Sequence, residues 1–360
     1  MIRRLVARGP LALALFAGTF VGVGLAQPPG GPDRVYYAPK KGVPVKEEDA
    51  ELKADATGVK VINSGKVSAT VTAADIVRTY PLDVPGVDRP TAAEPVKHEI
   101  AREWEKARAG YEGIKEKFKT NAPDRLRRWL AFRIAYTTTR AADDTPADSG
   151  WKDKAEAGLK LLSDYLSDYP GGWEAWAATR TAARVSLELG KAENAARLWA
   201  KEAKAPDITP DLRVEAAYQE ADALMRAGRF PEAAAKAAEA VPKAAPGAPK
   251  ERLNLIVLAA KAAESNPLDG VAAVEAEIGK TKDAAVRAAG YALEGELYLA
   301  AKKPREAMWA FLWVEVVYNH DKEEVAKALA RLTEVFKLLG DEDRERGYHD
   351  RMRRNRGLLL

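Results

Sequence analysis

The sequence predicts a mainly α-helical chain: an array of helical hairpins preceded by a small all-β module. Three observations carry this. A phrase reading helix, turn, helix recurs as LELGKAENAARLWAKEA from Leu187, LMRAGRFPEAAAKAAEA from Leu224 and LYLAAKKPREAMWAFLWVE from Leu297. The apolar period changes from two to about 3.6 near residue 95. Clusters of Pro, Gly, Asn and Asp then divide the remainder into segments of helical length. The 360 residues are 47% hydrophobic and 31% charged, a balance that suits a folded chain with a substantial core.

The elements follow in order. Arg3, Arg4 and Arg8 precede the apolar run LALALFAGTFVGVGLA, and Gly24 and Ala26 place small residues where a signal peptidase cuts. Residues 1–26 read as a secretory signal cut after Ala26, with an uncleaved anchor as the alternative. The 16 residues from Leu11 to Ala26 fall short of the roughly 20 that span a bilayer. The Arg3-Arg4 pair raises twin-arginine export, although the flanking residues fit that motif poorly. No later stretch is long and apolar enough to cross a membrane, so the mature chain is expected in the periplasm or cell envelope without a span. The leader holds three of the 57 basic residues and no acid, leaving 54 basic against 53 acidic and a net charge of +1. A nucleic-acid partner is therefore not expected, since phosphate neutralisation needs a basic surplus. The chain has no cysteine, which removes disulfides, thiolate nucleophiles and Cys-ligated metals.

Residues 27–33, QPPGGPD, form a linker without periodicity. Residues 34–80 carry short β-branched runs, RVYYA, GVKVIN, KVSATVT and DIVRTY, separated by the turn signals KKG and NSGK. In VKVI, Val59 and Val61 share a face while Lys60 points away. The strand pattern resembles a meander or an SH3-like or Sm-like small barrel. Residues 81–95 carry four of the prolines between positions 80 and 95 and read as a linker to the helical region, 96–360.

Within that region, TNAPD, RAADDTPADSG, DYPGGW, APDITPD, VPKAAPGAPK, SNPLDG and NHDKEE separate the helices. Successive hairpins start near Pro123, Gly172, Pro210, Ala248, Lys282 and Asp321, spaced by 49, 38, 38, 34 and 39 residues. Such a period marks a repeat array. Gly295, Tyr298, Ala307 and Phe311 hold a small–large–small–aromatic frame, with Tyr291 ahead of it. Ala221, Leu224, Ala233 and Ala240 keep the frame around Gly228 and Phe230, with Ala237 in the aromatic place. Ala183, Ala195 and Trp199 keep it around Gly190, where Ser186 replaces the large residue. A degenerate copy runs through Ala259, Ala262 and Val271. These residues resemble the tetratricopeptide-repeat family, and LLSDYLSDYP and VEVVYNHDKEEVAKALARLTEVFKLLG are similar to such modules in bacterial envelope-assembly proteins. The resemblance implies a right-handed superhelix in which small residues let paired helices approach and Tyr298, Trp199 and Phe311 fill the gap to the next pair. Gly190 and Gly228 are expected to end helices in the left-handed region.

The last hairpin, ending RERGYHDRMRRNRGLLL, reads as a water-facing cap, with His349 near an aromatic or alanine position. The rival reading makes Arg351, Arg353, Arg354 and Arg356 a site for anionic lipid or nucleic acid, against which nearby acids weigh.

Chemistry is sparse. His98, His320 and His349 share no metal-ligand spacing, and no GxSxG, P-loop, HExxH or dinucleotide fingerprint occurs. Asp143 and Asp144 read as solvated loop residues. No catalytic residue, metal site or cofactor is assigned. The resemblance implies a groove lined by the first helix of each hairpin, and Arg180, Arg184, Glu215, Tyr218, Asp222, Arg226 and Glu296 are its candidates. The reading is an exported, non-enzymatic scaffold for a protein or peptide. An accessory protein that binds or processes peptidoglycan or polysaccharide is the alternative, and self-association is a third reading.

Overall fold

The computed structural model describes residues 33–37, 46–51, 59–63, 66–71, 76–80, 89–146, 149–205 and 208–356. The expected signal, most of the first linker and residues 81–88 lie outside them. Five strands, β1 (Asp33–Tyr37), β2 (Lys46–Glu51), β3 (Val59–Asn63), β4 (Lys66–Val71) and β5 (Ile76–Tyr80), form one antiparallel sheet in the order β4-β3-β2-β1-β5. The first four strands make a meander and β5 returns to the free edge of β1. Val61 is buried and Lys60 half-exposed, as alternation requires. Val61 and Val71 belong to the same apolar cluster as helical residues from Trp173 to Leu297.

Fourteen α-helices follow among the described residues, as seven hairpins. They are α1 (Arg89–Ile100) with α2 (Trp104–Phe118), α3 (Asp124–Asp143) with α4 (Trp151–Asp168), and α5 (Trp173–Glu188) with α6 (Ala192–Glu202). Next come α7 (Pro210–Arg226) with α8 (Phe230–Ala240), α9 (Ala248–Ala263) with α10 (Pro267–Ile278), α11 (Ala284–Ala300) with α12 (Pro304–Leu312), and α13 (Lys322–Leu338) with α14 (Glu342–Arg356). The six hairpin starts read from breaker spacing fall within two residues of α3, α5, α7, α9, α11 and α13. Local chemistry fixes these and other helix starts. Asn266 Oδ1 accepts from Leu268 N, and Asp283 Oδ1 accepts from Ala285 N and Val286 N. Asp321 Oδ1 accepts from Glu323 N, and Pro210, Pro267 and Pro304 open their helices where a missing N–H costs nothing.

One boundary differs from expectation. α1 begins at Arg89, inside the stretch that its prolines mark as linker, and contains Pro95. Pro90 stands in the first turn, where proline suits a helix. Gly110 of α2 faces Pro95, and a Cβ there would lie 2.8 Å from the Pro95 Cβ. Packing against α2 thus holds a helix that composition alone argues against.

The repeat frame packs as its small residues demand. Ala221, Ala233 and Ala307 are wholly buried, and Phe311 and Trp199 almost so. A Cβ on Gly295 would lie 2.5 Å from Phe311 ring carbons, so the ring occupies space that only glycine leaves. Trp199 meets Trp176 edge to face with ring centroids 5.3 Å apart. Phe230 is half-buried against the central cluster, which Tyr291 and Tyr298 also border. Gly190 and Gly228 have φ of 72° and 71°, and the N–H groups of Lys191 and Arg229 reach back to the carbonyls of Ser186 and Leu224. The same turn after α11 is made by Lys302 at φ 59°, a residue that pays steric cost in that region.

The array curls until its last hairpin meets the second. Arg353 Nη1 of α14 donates to the Asp144 carbonyl at 3.1 Å, and the His349 ring lies 5.4 Å from the Trp151 ring of α4. The last hairpin is therefore not a purely water-facing cap: His349 is buried because the curl brings α4 against it.

Candidate functional site

The first helix of each hairpin, α7, α9, α11 and α13, contributes to one inner face. Tyr218 sits near its centre, buried, with its hydroxyl 3.5 Å from Glu324 Oε1. The Arg252 guanidinium lies 4.4 Å from the Tyr218 ring centroid and the Lys327 ammonium 5.6 Å, two cations on one aromatic body. Lys327 Nζ donates to Asp222 at 3.0 Å and to Glu324 at 3.2 Å. Arg226 Nε and Arg331 Nε both donate to Glu296 Oε1 at 2.8 Å, and Arg331 also donates to Glu296 Oε2. Glu215 accepts from Gln219 at 2.8 Å and from Arg252 at 3.3 Å. Four carboxylates, Glu215, Asp222, Glu296 and Glu324, thus meet four cations, Arg226, Arg252, Lys327 and Arg331.

The electrostatics follow from this pairing. Burial alone would raise the Asp222 carboxyl, but Lys327 and Arg226 outweigh it and hold it below its usual range. Burial likewise opposes ionisation of Glu296, and Arg331 with Arg226 holds it low. Glu324 ends raised, because burial and the neighbouring Asp222 charge exceed what Lys327 returns. Lys327 loses hydration, yet Asp222 and Glu324 push it well above the ordinary lysine range. Removing one member of such a network strands its partners without solvent.

In place of an open groove, the sequence-derived candidates therefore form an internal lattice. Glu215, Tyr218, Asp222, Arg226 and Glu296 come together, each engaged by this chain's own side chains. Arg184 stands apart from that centre and pairs with Asp143 at 2.9 Å and Glu188 at 3.0 Å. Arg180, one turn earlier on α5, is exposed and makes no ion pair among the described residues. The physical reason is curvature: residues 105 apart, Asp222 and Lys327, come within hydrogen-bond distance.

Asp143 and Asp144 are likewise not solvated loop residues. Asp143 is buried at the end of α3, where Arg140 also donates to it at 2.9 Å. Asp144 accepts from Trp104 Nε1 at 2.6 Å and Arg102 at 2.9 Å. Both acids are used as joints between hairpins. Sequence reasoning missed Arg252, Glu324, Lys327 and Arg331. The signal present was a ladder of Glu324, Lys327, Arg331 and Glu334 at helical spacing, which a solvated helix face would also show.

A different buried acid has no such partners. Glu294 on α11 is buried and Oε1 has no hydrogen-bond partner among the described residues. Burial, reinforced by the Glu275 charge, pushes its carboxyl up to about 8, so it is held neutral at pH 7. Among the described residues no cluster of three or more His, Cys, Asp or Glu could hold a metal ion, and no helix is long and apolar enough to cross a membrane.

No family model and no curated protein matches the chain. Among solved structures it is similar to a tetratricopeptide repeat protein from Parabacteroides merdae, at 14% identity over 73% of this chain and 91% of that one, with a TM-score of 0.43. The helical-repeat assignment stands on the seven hairpins themselves.

Proposed function

We propose that the chain is an exported, non-enzymatic scaffold of tetratricopeptide type that holds a protein or peptide partner in the cell envelope. The observation that carries this reading is Arg180. It is exposed and without an ion pair among the described residues, on the first helix of its hairpin, whose next cation, Arg184, is tied to Asp143 and Glu188. A guanidinium in that position is free to fork onto a partner carboxylate. The inner-face carboxylates, each matched by a cation, are built as struts and not as a poised acid and base. The β sheet offers a second contact surface.

The test is cross-linking of the chain in its native envelope, followed by mass spectrometry, with Arg180→Ala beside the wild type. A defined protein partner lost in that variant, at unchanged Tm, supports the scaffold. Recovery of glycan fragments would transfer the assignment to a polymer-binding accessory protein, and recovery of copies of the chain alone to self-assembly. Arg184→Ala is the wrong variant for this purpose, because it breaks the joint between α3 and α5.

A further inference from the structure

We infer that the outer face of the sixth hairpin is a docking surface for an anionic lipid bilayer. Among the described residues, Trp309, Trp313, Val316 and Val317 are exposed by 63%, 44%, 60% and 45%. Their positions, four, seven and eight residues on from Trp309, share one helix face, while Ala307, Ala310, Phe311 and Val314 bury the opposite face. The chain runs Trp313–Val317 as a π-helical turn, with Val316 and Val317 turned out and Val314 buried. A helix with one apolar face in the core and a second left open is not explained by folding.

The open face is preorganised. Trp313 stacks on Tyr291 with ring centroids 5.5 Å apart at 14°, and Tyr318 stacks on the same tyrosine at 5.4 Å. Arg287 Nη1 donates to the Tyr318 hydroxyl at 3.2 Å and fixes the far end of the stack. Large aromatic rings with a polar edge suit the boundary between headgroups and acyl chains.

Charge complementarity selects the occupant. Glu306 and Glu315 are the acids of this segment, and each is matched, by Lys303 at 3.9 Å and by Arg351 of α14. Lys302, Arg305 and, one turn beyond Arg351, Arg354 are exposed and make no ion pair among the described residues. Unmatched cations therefore stand on the same hairpin and on the helix bridged to it through Arg351, which fits a surface of phosphates over hydrocarbon. A protein partner would need a pit for each indole and an acidic rim. A bilayer needs neither pit nor register.

The test uses the full chain with vesicles of neutral phosphatidylcholine, or of the same lipid with about one third phosphatidylglycerol, each made with acyl-brominated lipid. The other six tryptophans are buried or half-buried, and the apolar leader contains none, so bromine quenching reports this face even if the leader also binds. Quenching is expected on anionic vesicles, with affinity falling about tenfold or more in Arg305→Glu/Arg354→Glu and on raising salt. It should vanish in Trp309→Ser/Trp313→Ser, whose circular dichroism should match the wild type because both side chains are exposed. Absent quenching on anionic vesicles overturns the inference, as does quenching that survives the double serine variant. A dimer in sedimentation that the serine variant dissolves, with no quenching, would assign the face to a second copy instead.

Discussion

The seams between paired helices and the inner face of the array are built from opposite chemistry. In the seams, Gly295 meets Phe311 and buried alanines face one another, so cohesion comes from close apolar contact that tolerates no added volume. On the inner face, Asp222, Glu296 and Glu324 are buried and Lys327 and Arg331 half-buried between them, and cohesion depends on every charge having a partner. The difference is one of range. A seam is completed within one hairpin, whereas the lattice exists only once α7, α9, α11 and α13 have converged. The seams make hairpins, and the lattice closes across the curl that their stacking accumulates.

The sharpest way to break this comparison is Lys327→Ala. It strands Asp222 and Glu324 without their shared cation and should cost about 3–5 kcal/mol in urea unfolding. The acid limb should change with it. Asp222 and Glu296 have depressed folded values, so their contribution is complete above the unfolded carboxylate range and is lost below about pH 4, as pH falls through the folded values. With Lys327 gone, the fall should be shallower. A loss under about 1 kcal/mol would show the lattice to be ordinary surface pairing.

Gly295→Ala tests the seam by volume alone. The new methyl meets the Phe311 ring and should cost about 1–3 kcal/mol, with no change in salt dependence. If salt alters that loss, seam and lattice are not separable.

Glu294→Gln puts the lattice rule to an acid that lacks a cation. Its folded value, raised to about 8 from 4.5, means that the carboxyl stays protonated in the fold while the unfolded chain ionises. Wild-type stability therefore declines as pH rises from about 4.5 towards 8. The glutamine variant should match wild type near pH 4 and exceed it by about 4 kcal/mol at pH 8. A pH-independent difference would contradict this account. The smallest effect is expected from Lys302→Gly, which relieves a left-handed lysine at the α11 turn and should gain about 0.5–1 kcal/mol, read as a small rise in Tm.

Sequence reasoning reached the seams and stopped at the lattice. Helix starts were legible because Asn266, Asp283 and Asp321 satisfy helix N–H groups within three residues of themselves. The frame of Gly295, Ala307 and Phe311 was legible because helix periodicity alone aligns it. Gly190 and Gly228 announced their turns through a backbone angle that other residues resist. The inner face was half-legible: Asp222, Arg226 and Glu296 could be assigned to it, but the side chains that close on them could not. Trp309 and Trp313 look in sequence like core aromatics of the repeat.

By itself, then, the sequence determined where the hairpins from α3 onward begin, which residues are small enough for helices to touch, and that the units repeat. Only the tertiary structure decided that the inner face is filled by its own charges, that Arg353 reaches the carbonyl of Asp144, and that two tryptophans stay outside. The reason is that caps, glycine turns and apolar spacing act over a few residues. The curl is instead the sum of small rotations over seven hairpins, so pairs 105 or 209 residues apart are set by an accumulated angle that no local segment encodes.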